Sequence, residues 1–312
     1  EESNMPRKIG ELKDSNTLQA ACKFYMNTPK FANLAGNTQR DYDKNLSAVC
    51  ATVVQRGKLL GNVRLKDLRF ANVTVAYDTW LADRGVRTAN YYATCLSIVL
   101  NTAIRHEALM LNPVSLIQRS KSAPRKVRWT NDQVRAFLNT AYSQWQWRSI
   151  GLIVHMAFQW AQRVGDMRTL VWDTLDLDNG RLDLEQSKRR AEVHLPIQGG
   201  LVDMLKEQKK DFGFQPYVAP RVSPRAGMYS CYDMDEINSL VKDVVREAGL
   251  PLDSITAMDL RRTAITQMVE EGADIANIMQ VSGHTNPQSV KPYLVNTFSG
   301  ASNALSKRKD LI

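Results

Sequence analysis

Between Thr174 and Ile197 the apolar residues change step. In "TLDLDNGRLDLE", Leu175, Leu177, Leu182 and Leu184 alternate with polar residues on either side of Asn179-Gly180. Period-two alternation about an Asn-Gly pair predicts a β-hairpin, because that pair tolerates the positive φ values that match the twist of two paired strands. "AEVHLPI", residues 191–197, predicts a third strand after the turn "QSKRR", which sets Lys188 at the tip of a second hairpin. A small antiparallel sheet inside a mainly α chain is the first constraint on the fold.

Around the sheet the period is that of helices. "TLQAACKFYMNT" and "TQRDYDKNLSAVCATVVQRG" space their apolar residues at three and four, as in Tyr42, Leu46, Val49 and Val53, with Gly57 as a stop. "NVTVAYDTWLADRG" and "RTANYYATCLSIVLNTAIRHEALM" repeat the pattern up to Gly85 and to Asn112-Pro113. These four segments predict a small helical bundle over residues 17–117, after a polar tail at 1–16. A second domain, 129–312, opens at "WTNDQVRAFLNTAY", where Thr130 or Asn131 can cap a helix burying Val134, Phe137, Leu138 and Ala141. "SIGLIVHMAFQWAQR" is apolar on nearly every side and predicts the central helix of that core. After the sheet comes a Pro- and Gly-rich loop, "FGFQPYVAPRVSPRAGM", and then three helical patterns, "DMDEINSLVKDVVREAG", "MDLRRTAITQMVEEG" and "DIANIMQVSG".

At 312 residues, 44% apolar and 23% charged, the chain has enough core-forming side chains for two compact domains. It contains no apolar run long enough to span a bilayer, and its first residues carry no secretory signal, so a soluble, cytoplasmic protein is expected. The chain opens on Glu1 and not on methionine, which points to processing or to a missing upstream segment. Cys22, Cys50, Cys95 and Cys231 lie far apart in sequence with no metal-ligand spacing, and are read as reduced thiols. Trp80, Trp160 and Trp172 are read as core, and His106, His155 and His194 receive no role.

Charge is unevenly divided. The net +9 resolves into +5 over residues 1–117, +5 over the eleven residues "QRSKSAPRKVR" at 118–128, and −1 over the rest. A positive half joined by an intensely basic, Pro-containing linker to a nearly neutral half suits a polyanion track, and nucleic acid is the commonest such partner. Arg119, Lys121, Arg125, Lys126 and Arg128 of the linker, with Arg189 and Arg190 of the hairpin, are the candidate phosphate contacts. A solvated linker is the competing reading.

Arg163, Lys188, Arg261, His284 and Tyr293 come from five separate elements of the second domain, and their types are those needed to attack a phosphodiester without a metal. Two guanidinium groups stay protonated and match phosphate with paired donors. A phenol ordinarily titrates near about 10, so a field of cations or a base must activate it as a nucleophile. The departing alkoxide needs a general acid, for which a lysine on a hairpin is suited.

The ordered elements "QRVGDM", "QSKRR", "DLRRT", "SGHTN" and "KPYL" resemble the tyrosine recombinase (phage integrase) family, over nearly the whole chain, since "TQRDYDKNLSAV" resembles that family's helical, SAM-like core-binding domain. The resemblance implies a mixed α/β catalytic domain with Arg163 at a helix end, Asp166 supporting it, the hairpin Lys188, Arg261, His284 and the nucleophile Tyr293. It implies cleavage of double-stranded DNA through a 3′-phosphotyrosyl link, with no ATP and no cofactor, by two domains closing around the duplex as a clamp. It further implies a homotetramer on DNA formed from a protein that is monomeric when free. Arg262, about 100° around the helix from Arg261, is assigned to packing or a salt bridge.

One position departs from the family. The histidine of its HxxR element falls on Met258, and a thioether neither donates to phosphate nor takes a proton from tyrosine. Asp259 and Lys291 are the substitutes nearest in sequence. Pro292 lacks a backbone N–H, so Tyr293 is expected on a mobile or newly started helix. The alternatives are a DNA-binding relative with weakened cleavage and, less favoured, an enzyme like a type IB topoisomerase.

Overall fold

The computed structural model describes residues 11–54, 57–123, 127–188, 190–252, 255–294, 301–302 and 305–306. The chain divides into two compact units, Glu1–Pro124 and Arg125–Ile312, and the division falls inside the basic stretch 118–128.

The first unit is built from α1 (Leu18–Met26), α2 (Pro29–Ala32), α3 (Gly36–Cys50) and α4 (Phe70–Arg105). The Thr17 hydroxyl accepts from the Ala20 N–H at 3.3 Å and so satisfies one of the free donors at the start of α1. Helix α3 stops at Cys50, seven residues before the expected Gly57. There the chain doubles back, with the Val54 N–H donating to the Lys58 carbonyl and the Leu60 N–H to the Thr52 carbonyl, both at 2.8 Å. The two helices expected on either side of Gly85 form one long element, α4, broken where Gly85 takes φ 76° and ψ 169°. Leu18, Leu46, Leu60, Leu65, Leu96 and Leu100 are fully buried between these helices. The Cys22 and Cys50 sulfurs lie 3.7 Å apart in the same core. The expected tail is folded from residue 11 onward, since Leu12 is buried and the Asn16 carbonyl accepts from the Leu65 N–H at 2.8 Å.

In the second unit α5 (Asn131–Tyr142) opens with a reciprocal cap between Thr130 and Gln133, the polar signature that its sequence carries. α6 (Arg148–Gln159) follows, with Ile150, Leu152, Ile153, Val154 and Met156 buried on several faces, as befits a central helix. A short helix α7 (Val164–Met167) leads to the three-stranded antiparallel sheet β1 (Leu175–Asp176), β2 (Arg181–Glu185) and β3 (Glu192–Pro196). Leu182 pairs with Leu175 on one side and Leu195 on the other, so one face of the sheet closes on the core. α8 (Gly200–Phe212) is a helix the periodicity did not disclose; it buries Leu201, Leu205 and Phe212. The Pro- and Gly-rich segment after it is irregular, as expected, and is followed by α9 (Met234–Glu247), α10 (Asp259–Glu270) and α11 (Ile275–Ser282). Trp80, Trp160 and Trp172 are all core residues. Among the described residues no helix is long and apolar enough to cross a membrane.

Candidate active site

A small apolar floor of Ala161, Ala264, Ile265, Ile278 and Val290 joins the exit of α6, helices α10 and α11 and the turn after α11, with Tyr293 packed against it. Four of the five predicted catalytic side chains converge above this floor.

Arg163 is not within a helix end. Helix α6 stops at Gln159, Ala161 takes a left-handed φ of 50°, and Arg163 stands in extended conformation as the residue preceding α7. That bend turns its guanidinium toward Gln186, whose Oε1 accepts from Nη1 at 2.9 Å, with the Asp166 carboxylate 3.6 Å from the same nitrogen. Asp166 is itself buried and accepts from the Ser187 N–H at 3.1 Å and from the Ser187 hydroxyl. It therefore serves as counter-ion to Arg163 and as a tether for the hairpin that carries Lys188.

Arg261, on the first turn of α10, is buried and donates through Nη2 to the Ser282 carbonyl at 2.7 Å, while His284 Nε2 lies 3.4 Å away. Its Nη1 is buried and has no hydrogen-bond partner among the described residues. Burial, followed by the positive charge of Arg163, pushes this guanidinium down to about 10 against the opposing pull of Tyr293 and Asp166. It thus remains charged at neutral pH.

His284 follows Gly283, which ends α11 in the left-handed region at φ 67°. The Ser282 hydroxyl donates its single proton to the Ile278 carbonyl at 2.6 Å and lies 2.7 Å from His284 Nδ1. Since a hydroxyl has one proton to give, Nδ1 must be the donor in that second contact, and the neutral ring keeps its lone pair on Nε2. The rings of His284 and Tyr293 are 5.9 Å apart at 48°. Tyr293 is half-buried at the end of a single 3-10 turn, Lys291–Tyr293, that includes Pro292, at the place expected to carry a mobile or newly started helix. The Arg262 guanidinium stands 5.1 Å from the Tyr293 ring centre and donates to the Pro292 carbonyl at 3.3 Å.

The remaining predicted positions lie apart from this cluster. Lys188 is exposed at the hairpin turn. Met258 is 74% exposed ahead of α10. Asp259, a nominated substitute for the family histidine, is buried and accepts from the Thr256 N–H and hydroxyl at 2.9 and 2.8 Å, which makes it a cap of its own helix. Lys291 is exposed. Arg119 donates to the Thr94 hydroxyl at 2.7 Å and Lys121 is exposed, whereas Arg128 is paired with Glu270 at 2.5 Å and Arg190 with Glu185 at 3.0 Å. Arg125, Lys126 and Arg189 lie outside the described residues. Among those described, no cluster of His, Cys, Asp and Glu has the makings of a metal site.

Sequence reasoning missed Gln162, Gln186 and Ser282, the neutral groups that join the cations. One signal was present: Gln186, just beyond β2, continues the alternation of Leu182 and Leu184, so the pattern that identified the hairpin also turned a glutamine inward.

A mainly helical protein with a three-stranded sheet and this Arg, Arg, His, Tyr cluster has the architecture of an integrase catalytic unit. The phage integrase family profile matches residues 128–299, more than half of the chain, and the chain belongs to that family. It is 26% identical over 161 residues to the tyrosine recombinase XerA of Thermococcus kodakarensis, a stretch that spans 51% of this chain and about half, 55%, of that relative. Among solved structures it resembles a lambda integrase tetramer bound to a Holliday junction, with a TM-score of 0.74 and 18% identity over 97% of this chain and 82% of the other. It likewise resembles the Tn1549 transposon integrase in complex with circular intermediate DNA, at a TM-score of 0.73 and 16% identity over 94% of this chain and 100% of that one. At these identities the structural likenesses establish the fold.

Proposed function

We propose that this chain is a site-specific DNA recombinase of the integrase type, cutting and rejoining duplex DNA through a 3′-phosphotyrosyl intermediate on Tyr293. The observation that carries this is the buried Arg261 guanidinium, which keeps one nitrogen without a hydrogen-bond partner among the described residues in the same cluster as Arg163, His284 and Tyr293. A buried cation held ready in this way is suited to an anion that arrives with its own negative charge.

In the proposed reaction Arg163 and Arg261 hold the non-bridging oxygens of the scissile phosphate. The Tyr293 oxygen attacks phosphorus, the bond to the 5′ oxygen breaks, and Lys188 gives that oxygen a proton. The phenol proton passes to His284 Nε2, the acceptor nitrogen of the ring, as it gives up its 3.4 Å contact with Arg261 Nη2. A 5′-hydroxyl from a partner duplex then reverses the steps, so the energy of the phosphodiester is retained and no nucleotide is consumed. Arg119 and Lys121 contact DNA phosphates directly, while Arg128 and Arg190 reach them only by releasing or sharing Glu270 and Glu185. The first unit acts as the core-binding domain, the working assembly is a homotetramer on its recombination sites, and the protein acts in the cytoplasm of its host cell.

A second reading, a relative that binds DNA but cleaves it poorly, draws on the exposed Met258 at the position of the family histidine. Nicked duplexes carrying candidate attachment sites separate the two, because the nick lets the cut strand diffuse away and traps the covalent complex. Adducts on such duplexes, with no relaxation of site-free plasmid, are the expected result. Binding with no adduct favours the non-cleaving relative, and sustained relaxation of site-free plasmid favours a topoisomerase.

A further inference from the structure

The side chain that joins the site together is neither basic nor nucleophilic. Gln186, just beyond β2, is fully buried, and both ends of its amide are committed. Oε1 accepts from Arg163 Nη1 at 2.9 Å, and Nε2 donates to Gln162 Oε1 at 2.6 Å and to the Ser282 carbonyl at 2.9 Å. Its backbone closes the hairpin, with the N–H donating to the Ala191 carbonyl at 2.8 Å and the carbonyl accepting from the Arg190 N–H at 3.0 Å. The amide cannot be turned around, since Arg163 offers only donors and the Ser282 carbonyl only an acceptor. Gln162 is fixed in the same way, its Nε2 donating to the Trp160 and Val281 carbonyls, each at 2.7 Å. Two glutamines thus form a directional chain of hydrogen bonds from the exit of α6, through the hairpin, to the end of α11.

Each partner of Gln186 leads to a different reacting group. One is Arg163 itself. Another is Ser282, whose carbonyl also receives Arg261 and whose hydroxyl contacts His284. The third connection is covalent: Lys188 lies two residues further on, with Ser187 between them anchored on Asp166. Only a group that accepts on one side and donates on the other serves these neighbours together. A carboxylate matches Arg163 and opposes the carbonyl; a methionine fills the volume and bonds to neither.

We propose that Gln186 is a positioning residue, whose buried amide locks Arg163, the Ser282 shelf under Arg261 and His284, and the hairpin bearing Lys188 into one geometry around the phosphate. It acts through these groups and touches no DNA. The proposal rests on the recombinase reading above. Displacement of a reacting group by about 1 Å is enough to lose on the order of 10²-fold in rate, so a small loosening is read out strongly.

The test is single-turnover cleavage of a nicked duplex by the wild type, Q186M and Q186E, alongside duplex affinity, thermal unfolding and hydrogen exchange at the Ser187 amide. Q186M should unfold within about 3 °C of the wild type and bind DNA within about threefold, yet cleave on the order of 50-fold more slowly, with Ser187 exchange faster by about tenfold or more. Q186E should regain cleavage relative to Q186M as pH falls, since burial and the facing Gln162 and Ser282 oxygens raise its carboxyl against the opposing pull of Arg163 and Arg261, and the protonated form donates to the Ser282 carbonyl. A purely structural role has no reason to give that pH response. A wild type that forms no adduct sinks the recombinase reading and this proposal with it. A wild type that cleaves beside a Q186M that cleaves equally well sinks the proposal alone, as does a rate loss matched by loss of folded protein or of DNA affinity. Should Q186M not fold, a Q186E rate indifferent to pH has the same consequence.

Discussion

Gly283 lies directly against the amide of Gln186: a Cβ on the glycine would stand 2.6 Å from Gln186 Nε2 and 2.7 Å from its amide carbon. The same glycine takes φ +67°, where an L side chain is strained whatever the space around it. The end of α11 therefore has no side chain so that the hairpin can dock against it.

Gly283→Ala should meet both penalties, losing about 1–3 kcal/mol of stability in urea unfolding and slowing cleavage as the amide is displaced. Unchanged stability together with unchanged cleavage would mean that the hairpin does not need this close approach.

Arg261 is placed for an anion at a cost to the unliganded fold. Burial lowers its guanidinium from the ordinary arginine range to about 10 in the folded chain, so burial of the charge opposes folding at every pH below about 10. Arg261→Met should therefore raise the unfolding free energy, by about 1–2 kcal/mol, while cleavage falls by about 10²-fold or more. A variant that is both less stable and still active contradicts this role.

Met258 occupies the family's histidine position, yet its thioether is exposed and is assigned no proton transfer. Met258→Ala should leave the single-turnover cleavage rate within about threefold of the wild type. His284→Ala should lose about 10²-fold or more, because it removes the proposed proton acceptor. Equal losses in the two variants would move the proton transfer away from His284.

His155, in α6, is held neutral by burial, its pKa lowered from 6.5 to about 4, with Nδ1 3.0 Å from the Tyr142 hydroxyl. The unfolded chain takes up that proton before the folded one, so this contribution to stability is complete above pH 6.5 and is lost as pH falls toward 4. About 2 kcal/mol of the acid sensitivity of the second unit between about pH 7 and about pH 5 should disappear in His155→Asn, measured by urea unfolding at those two pH values. An acid response equal to that of the wild type would assign it to other groups.

Much of this fold is legible where periodicity is strong. Leu175, Leu177, Leu182 and Leu184 about Asn179-Gly180 predict the β1–β2 hairpin, and Thr130 with Gln133 marks the start of α5. Helix α8 escaped because it starts at a Gly-Gly pair and presents only a thin apolar stripe, Leu201, Leu205 and Phe212, among charged residues. The early end of α6 escaped as well, since the left-handed turn is made by Ala161 and no glycine announces it. At the site, Arg163, Arg261, His284 and Tyr293 are conspicuous by residue type and order. Gln162 and Gln186 are not, because an amide gains its meaning from partners more than 20 residues away, which no local pattern encodes.

The most direct measurement is to trap the covalent complex on a nicked duplex, digest it and identify by mass spectrometry the peptide that carries the nucleotide. The expected result is a nucleotide joined through its 3′ phosphate to Tyr293, with no adduct in Tyr293→Phe although DNA affinity stays within about threefold. A nucleotide on any other residue, or an adduct that survives Tyr293→Phe, would contradict a phenol made reactive by Arg163, Arg261 and His284.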